Sequence, residues 1–268
     1  MDEIQKGQMK HLRCEVLERL LQAFPTSGRH WKMYCEALVA DGKREDALAA
    51  LEKAMPMIPQ IDLWKQYILL TNTQCSGDTA TMSKAYEKAV DAVGQDIGSN
   101  SLWGDYVTFL KNQKVSNLYE DGQRKNQLRR AYQRLLQVPM HGVDRFWGEY
   151  EAWEQSLDPN NVAQAEALVR AFEPKHKAAR AAYKDRNKLR NAIILSVFPA
   201  PYSGDIKDKN NAKSWLDLIA FERSNPQKML AEDLRKRVYF TYMYCLSYCP
   251  MYPDIWHQVC VLPSPPKP

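Results

Sequence analysis

Near its C-terminal end the chain carries three cysteines and a histidine at spacings that a zinc ion could use. Cys245, Cys249, His257 and Cys260 form the pattern C-x₃-C-x₇-H-x₂-C, and zinc prefers cysteine and histidine ligands. However, the first two cysteines fall in a strongly apolar helical pattern, and two prolines separate them from the other pair. Because buried cysteine packs as a small hydrophobe, we favour structural cysteines and predict no metal site.

The remaining histidines do not suggest catalysis. They are isolated from any serine or cysteine in a recognisable elbow or triad motif, and they are His11, His30, His141 and His176. The chain contains only 11 glycines, and neither GxGxxG nor GxxxxGK[ST], the loops that hold phosphate groups, is present. We therefore predict a protein that is not an enzyme and uses no cofactor.

The densest charge lies in Arg170 to Arg190, RAFEPKHKAARAAYKDRNKLR, whose net charge of +6 exceeds the +5 of the whole chain. One interpretation is a ridge that contacts RNA phosphates or an acidic partner. The other is a solvated helix face whose aliphatic stems pack on the protein. Tyr183 is the one aromatic residue among the later basic positions, which argues against base stacking. The candidate ridge consists of Lys175, Lys177, Arg180, Lys184, Arg186, Lys188 and Arg190.

A tryptophan repeat indicates which elements carry these side chains. Its copies are Trp31 with Tyr34, Trp64 with Tyr67, Trp103 with Tyr106, Trp147 with Tyr150, Trp215 with Leu218, and Trp256 as a possible sixth. Residues three apart share a helix face, so each copy predicts an amphipathic helix led by its largest side chain. We interpret these aromatic residues as structural, since burial of such rings stabilises helix packing, and not as RNA-stacking residues.

A second helical pattern and then a proline follow most copies, and no strand pattern is evident. The sequence therefore predicts an all-α fold, an α-solenoid of antiparallel helix pairs. We expect the solenoid to span residues 1–258 in about five to six repeats, the first and last incomplete, with an insertion near 197–211. The gap between Trp147 and Trp215 leaves room for a degenerate repeat or a long insertion. Residues 259–268 predict a proline-rich, disordered tail.

The repeat resembles the half-a-TPR (HAT) repeat, which has Trp-x-x-Tyr in its first helix and often a glutamate close behind. Glu154 and Glu222 occupy that glutamate position, seven residues after their tryptophans. Within this group the chain looks most like the suppressor-of-forked family. The segments that carry the resemblance include FPTSGRHWKMY, LRRAYQRLLQVPM, FWGEYEAWE, FERSNP, LRKRVYFTYMYCL and PDIW.

The resemblance implies a nuclear, non-enzymatic scaffold of pre-mRNA 3′-end cleavage and polyadenylation, as in the large subunit of cleavage stimulation factor. Its partners would be other subunits of that machinery, with an RNA contact through the ridge as a further option and no membrane association. The alternatives are an RNA-binding basic solenoid, or a HAT scaffold of the spliceosome or of ribosome biogenesis. Family homodimerisation belongs to a second block of repeats that the matched segments, residues 9–258, do not include, so we transfer it to no residue. We interpret the chain as a fragment, a truncated form or a reduced version of the family pattern.

Overall fold

Twelve α-helices make up the described part of the chain. The structure is a computed structural model that describes residues 3–75, 77–158, 162–195 and 201–261, with side chains from residue 12 onward. The helices are α1 (Glu3–Ala23), α2 (Gly28–Ala40), α3 (Arg44–Ala54), α4 (Ile61–Gln74), α5 (Thr79–Val93), α6 (Asn100–Lys111), α7 (Leu118–Leu135), α8 (Val143–Leu157), α9 (Val162–Asn191), α10 (Ile206–Arg223), α11 (Ala231–Tyr248) and α12 (Pro253–Val261). No strand occurs in these ranges, and the predicted all-α class is confirmed.

The helices pack as antiparallel pairs along the chain. Each tryptophan-led helix (α2, α4, α6, α8 and α10) packs mainly on the helix that follows it (α3, α5, α7, α9 and α11).

Side-chain caps fix the start of several helices. The Asp78 side chain accepts hydrogen bonds from the backbone N–H groups of Ala80 and Thr81 at the start of α5, and Asn117 caps α7 in the same manner. Such caps satisfy backbone donors that a helix leaves open at its first turn.

Between the two tryptophan-led helices α8 and α10, the described residues form a single helix. Helix α9 runs for 30 residues, so the gap holds an extended second helix and no degenerate helix pair. Pro174 lies inside it and lacks the N–H group that would bond to the carbonyl of Arg170. The entire candidate ridge nevertheless lies on this one helix.

The predicted insertion near 197–211 is shorter than expected at its C-terminal end. Residues 196–200 lie outside the described part, residues 201–205 are not helical, and Ile206 already begins α10. The Asn211 side chain ties the start of α10 to the segment after α9: its amide pairs with both backbone groups of Ile194, at 2.9 and 3.2 Å. In the predicted tail, residues 259–261 belong to α12, whereas residues 262–268 fall outside the described ranges.

One continuous hydrophobic core connects the helix pairs. Its largest fully buried side chains are aromatic and include Trp103, Trp215, Tyr106, Tyr132 and Tyr150.

Among the described residues, no helix is both long enough and apolar enough to pass through a bilayer.

Helix α11 also contacts units that are not its neighbours in the repeat order. Arg237 Nε donates to Gln95 Oε1 at 2.5 Å, at the end of the α4–α5 unit. Gln227 Nε2, just before α11, donates to the carbonyl of Gln137 at 3.0 Å, at the end of the α6–α7 unit. Hydrogen bonds from α11 and the segment before it therefore reach the C-terminal ends of α5 and α7.

Candidate partner-binding surface

Helix α9 presents a row of cations to solvent. The exposed members of the candidate ridge are Lys175, Lys177, Arg180, Lys184 and Lys188. Arg180, Lys184 and Lys188 are separated by four residues each and so share one face. Arg180 Nε lies 3.3 Å from Asp144 Oδ2, but two thirds of the arginine side chain is exposed, so this ion pair contributes little. The row remains available to a polyanion.

Arg186 and Arg190 differ from the predicted ridge because they face the interior. Arg186 is only 4% exposed and donates to the carbonyls of Gln95 and Pro139 at 2.8 and 3.1 Å. Arg190 Nη2 donates to the Tyr244 hydroxyl at 2.8 Å, and its guanidinium lies over that ring. These two arginines connect α9 to other units, and the prediction that they belong to an exposed ridge is wrong.

Arg186 belongs to a buried ionic cluster with Glu222 and Arg237. The carboxylate of Glu222 lies 2.6 Å from Arg186 Nε and 3.6 Å from Arg237 Nη1, and no side chain of the three is more than 5% exposed. Burial, and then the positive charge of Arg186, lower the pKa of Arg237, while Glu222 opposes both effects. Buried charges are tolerated only when paired and hydrogen-bonded, and Gln95 supplies a further acceptor to each arginine.

The other repeat glutamate is held in a similar manner. Glu154 accepts two hydrogen bonds from Arg129, at 2.6 Å from Nε and 2.8 Å from Nη2. The glutamate side chain is 1% exposed and that of the arginine 28%. This bidentate geometry is among the strongest ion-pair arrangements, and it joins α7 to α8. The glutamate position of the motif is therefore structural in both copies that have it.

The repeat aromatic residues lie mostly in the core. Trp31, Trp64, Trp103 and Trp215 are buried, together with Tyr67, Tyr106 and Tyr150. Trp147 and Tyr34 are half-buried, and Trp256 is 43% exposed. Since the buried rings present no face to solvent, they offer no platform for base stacking.

Polar atoms of these aromatic residues hold the turns between units. Trp31 Nε1 donates to the carbonyl of Pro25 at 2.8 Å, and Trp256 Nε1 donates to that of Pro250 at 2.7 Å. Both acceptors lie six residues before the tryptophan. The tyrosine hydroxyls of Tyr34 and Tyr106 donate to glutamates of the preceding unit or helix, Glu18 and Glu87. A phenylalanine could not make these links in the first and third copies of the motif.

His176 anchors α9 against α8. Its ring stacks on Trp147 with 4.6 Å between centroids, and its Nε2 lies 3.1 Å from Asp144 Oδ1. Burial lowers the pKa of His176, and the Asp144 carboxylate opposes that effect. His30 is also buried, with Nδ1 2.7 Å from the Ser27 hydroxyl, whereas His141 is exposed and hydrogen-bonded to Tyr183. The side chain of His11 lies outside the described set.

The four residues of the zinc pattern do not meet. Cys245 and Cys249 are buried in and beside α11, while His257 and Cys260 lie exposed on α12. Across the described ranges, no cluster of three or more His, Cys, Asp or Glu side chains could hold a metal ion.

A large cavity that the sequence did not reveal lies between five units. The C-terminal ends of α3, α5 and α7 form its floor, α9 contributes Lys175 and Ala178, and the segment from Gln227 to Met243 covers it. Its volume is about 750 Å³, within the range of ordinary ligand pockets. Its lining residues are spread over the whole chain, so no local sequence signal could have identified them.

Comparison with known proteins agrees with this architecture. The sequence model of the suppressor of forked protein family matches residues 1–261. The chain is 32% identical to cleavage stimulation factor subunit 77 of Arabidopsis thaliana over 91% of its length, and 29% identical to the suppressor of forked protein of Drosophila melanogaster, also over 91%. It is 27% identical to the mRNA 3′-end-processing protein rna14 of Schizosaccharomyces pombe over 94%.

The chain spans about a third of the length of these curated relatives, 33%, 32% and 34% respectively. A crystal structure of CstF-77 superimposes with a TM-score of 0.68 at 16% identity, over 86% of this chain and 46% of that one. This similarity supports the helical-repeat fold, and the family match extends over nearly the whole sequence. The chain therefore belongs to the suppressor of forked family.

Proposed function

We propose that the chain is a non-enzymatic, nuclear scaffold segment in pre-mRNA 3′-end cleavage and polyadenylation, with subunits of that machinery as its partners. The observation that carries the proposal is the match over at least 91% of the chain to relatives named for cleavage stimulation and mRNA 3′-end processing. The geometry supports it, because rigid helix pairs around one core hold surfaces in fixed relative positions. A scaffold of this kind acts by geometry and makes or breaks no bonds.

Affinity purification of the tagged chain from nuclear extract, followed by mass spectrometry, tests this proposal. The expected result is recovery of cleavage and polyadenylation subunits above a tag-only control. Recovery of spliceosomal or ribosome-biogenesis factors instead would overturn it. Immunofluorescence of the tagged chain checks the nuclear location independently.

A second candidate function is direct RNA binding through the exposed part of the ridge. It is favoured by one observation: Arg180, Lys184 and Lys188 form an exposed row on a single helix. Cations in such a row release counterions when they bind phosphate, so affinity falls with salt.

Charge reversal distinguishes these two candidates. In the variant R180E/K184E/K188E we expect lower affinity for a single-stranded RNA oligonucleotide in fluorescence anisotropy. We also expect a shallower salt dependence, by about 0.7 in log–log slope for each lost phosphate contact. The matched control reverses three exposed lysines of α10, Lys207, Lys209 and Lys213. If both variants bind RNA as the parent does, RNA binding through this ridge is excluded.

A further inference from the structure

The cavity under α11 is built from rigid parts. Its floor consists of helix ends, with Met55 after α3, Val90 in α5 and Val138 after α7. Its cover is fixed by the hydrogen bonds from Gln227 to Gln137 and from Arg237 to Gln95. A cavity that is already formed costs little ordering on binding, which favours affinity.

The lining combines apolar side chains with a basic rim. Met229 and Met243 are half-buried and Leu230 is 77% exposed, so flexible apolar side chains face the space. Methionine adapts its shape to different partners. Five basic and two acidic side chains line the cavity. Two of the five, Lys175 and Lys228, make no ion pair within the part of the chain that the structure describes.

Lys228 has an unusual backbone conformation. Its φ is +53°, a left-handed region that side chains other than glycine, asparagine and aspartate rarely adopt. The Asn225 side chain enforces this turn by bonding both backbone groups of Met229, at 2.8 and 2.9 Å. Glycine would adopt this conformation more easily, so the lysine adopts it at a conformational cost. Such residues are often found at binding sites.

We propose that this cavity binds a short segment of a partner protein in which an apolar side chain is flanked by Asp or Glu. The apolar side chain fills the space between Met229, Met243 and the helix ends, and the carboxylates pair with Lys175, Lys228 and Lys236 at the rim. RNA is the poorer occupant because three of the four aromatic residues of the lining are buried, Trp64 at 4%, Trp103 at 1% and Phe240 at 7% exposed, which leaves only the half-buried Tyr239 for a base to stack on. The proposal does not depend on a role in 3′-end processing.

Selection from a random peptide library displayed on phage tests the proposal with the full chain. The expected result is enrichment of peptides that carry an apolar residue between carboxylates. Synthetic copies should bind with a salt-sensitive affinity. Enrichment of basic peptides, or of none, would overturn the proposal.

Three variants test whether the selected peptides bind in the cavity. K228G should weaken binding about two- to fivefold, the usual contribution of an exposed ion pair, while the protein stays at least as stable, because glycine relieves the turn. A178W fills the cavity and should abolish binding. K209E, on the exposed face of α10, is the charge control and should leave the affinity unchanged.

Circular dichroism and thermal unfolding confirm that each variant is folded. If folded K228G and A178W both bind the selected peptides as the parent does, the cavity is not the site. Displacement of the peptides by a single-stranded RNA oligonucleotide, with A178W also losing RNA affinity, would assign the cavity to nucleic acid and overturn the proposal.

Discussion

Glu222 and Arg186 form an ion pair inside the protein, with 2.6 Å between Glu222 Oε1 and Arg186 Nε and with both side chains at most 5% exposed. One residue comes from the ridge that the sequence predicted to face solvent, and the other from the glutamate position of the repeat. Their contact joins α9 to α10 in the core. The predicted ridge and the repeat motif look like separate features in the sequence, but each contributes one residue to this buried ion pair.

Replacement of Glu222 by glutamine should destabilise the protein strongly. It leaves Arg186 and Arg237 buried without a compensating carboxylate, and loss of one partner from a buried pair typically costs about 3–5 kcal/mol. Urea unfolding at neutral pH measures the free energy. The control E232Q breaks the exposed Glu232–Lys236 pair and should change stability by less than about 1 kcal/mol. Equal effects of the two variants would contradict the prediction.

The Arg129–Glu154 pair should respond asymmetrically to mutation. In E154Q the arginine, 28% exposed, regains contact with water, and we expect a loss of about 1–3 kcal/mol. In R129M the glutamate carboxylate stays buried without a partner, and the expected loss is about 3–5 kcal/mol. Urea unfolding of the two variants side by side tests this order.

Acidification should also make the R129M variant more stable relative to the parent chain. Burial without a cation raises the pKa of a carboxyl, so the folded variant binds a proton more readily than the unfolded chain, and its stability falls as pH rises. Thermal unfolding between acidic and neutral pH measures this slope. A slope identical to that of the parent would show that Glu154 finds another partner.

The loss of stability on truncating a repeat tryptophan to alanine should depend on how deeply that tryptophan is buried. W103A removes an indole that is 1% exposed, and such truncations cost about 3–5 kcal/mol. W256A removes one that is 43% exposed and chiefly loses its hydrogen bond to Pro250, worth about 1 kcal/mol. Calorimetry of both variants separates the two values. A larger loss in W256A would mean that α12 is packed more tightly than the structure shows.

Acidification should destabilise the α8–α9 contact through His176. The pKa of His176 is lowered from its ordinary value of 6.5, because the effect of burial outweighs that of the Asp144 carboxylate, which raises the pKa. Of two smaller effects, the charge of Arg180 lowers the pKa and that of Glu151 raises it. The unfolded chain then binds more protons than the folded one near and below that value, so stability falls as pH is lowered. His30, whose pKa is lowered by burial and then by Arg29, adds to the same slope.

The variant H176Q tests this assignment, since it should flatten the dependence of the unfolding temperature on pH. The control H257Q replaces a histidine exposed on α12 and should leave the dependence as it is. If H176Q shows the full slope of the parent, the loss of stability arises at another group.

The helices were predictable because tryptophan and tyrosine at i and i+3 define a buried face that no strand could provide. The inward direction of Arg186 was also readable, since it follows buried Ala182 by four residues and so lies on the same face. The charge of the segment had masked that periodicity. By contrast, the contact of Arg237 with Gln95 joins residues 142 positions apart, and nothing local in the sequence specifies it. The cavity depends on the same long-range contact, so it could not be predicted from the sequence either.

The contacts of α11 with the ends of α5 and α7 also bear on how the chain folds. In an open solenoid each unit meets only its neighbours, so stability is additive and the ends can fray independently. Here the fifth unit is tied to the second and third, which couples the melting of distant units. Such a chain should lose its structure in one cooperative transition and should fold more slowly than an open array of equal length, because its fifth unit docks on the second and third through contacts of high sequence separation.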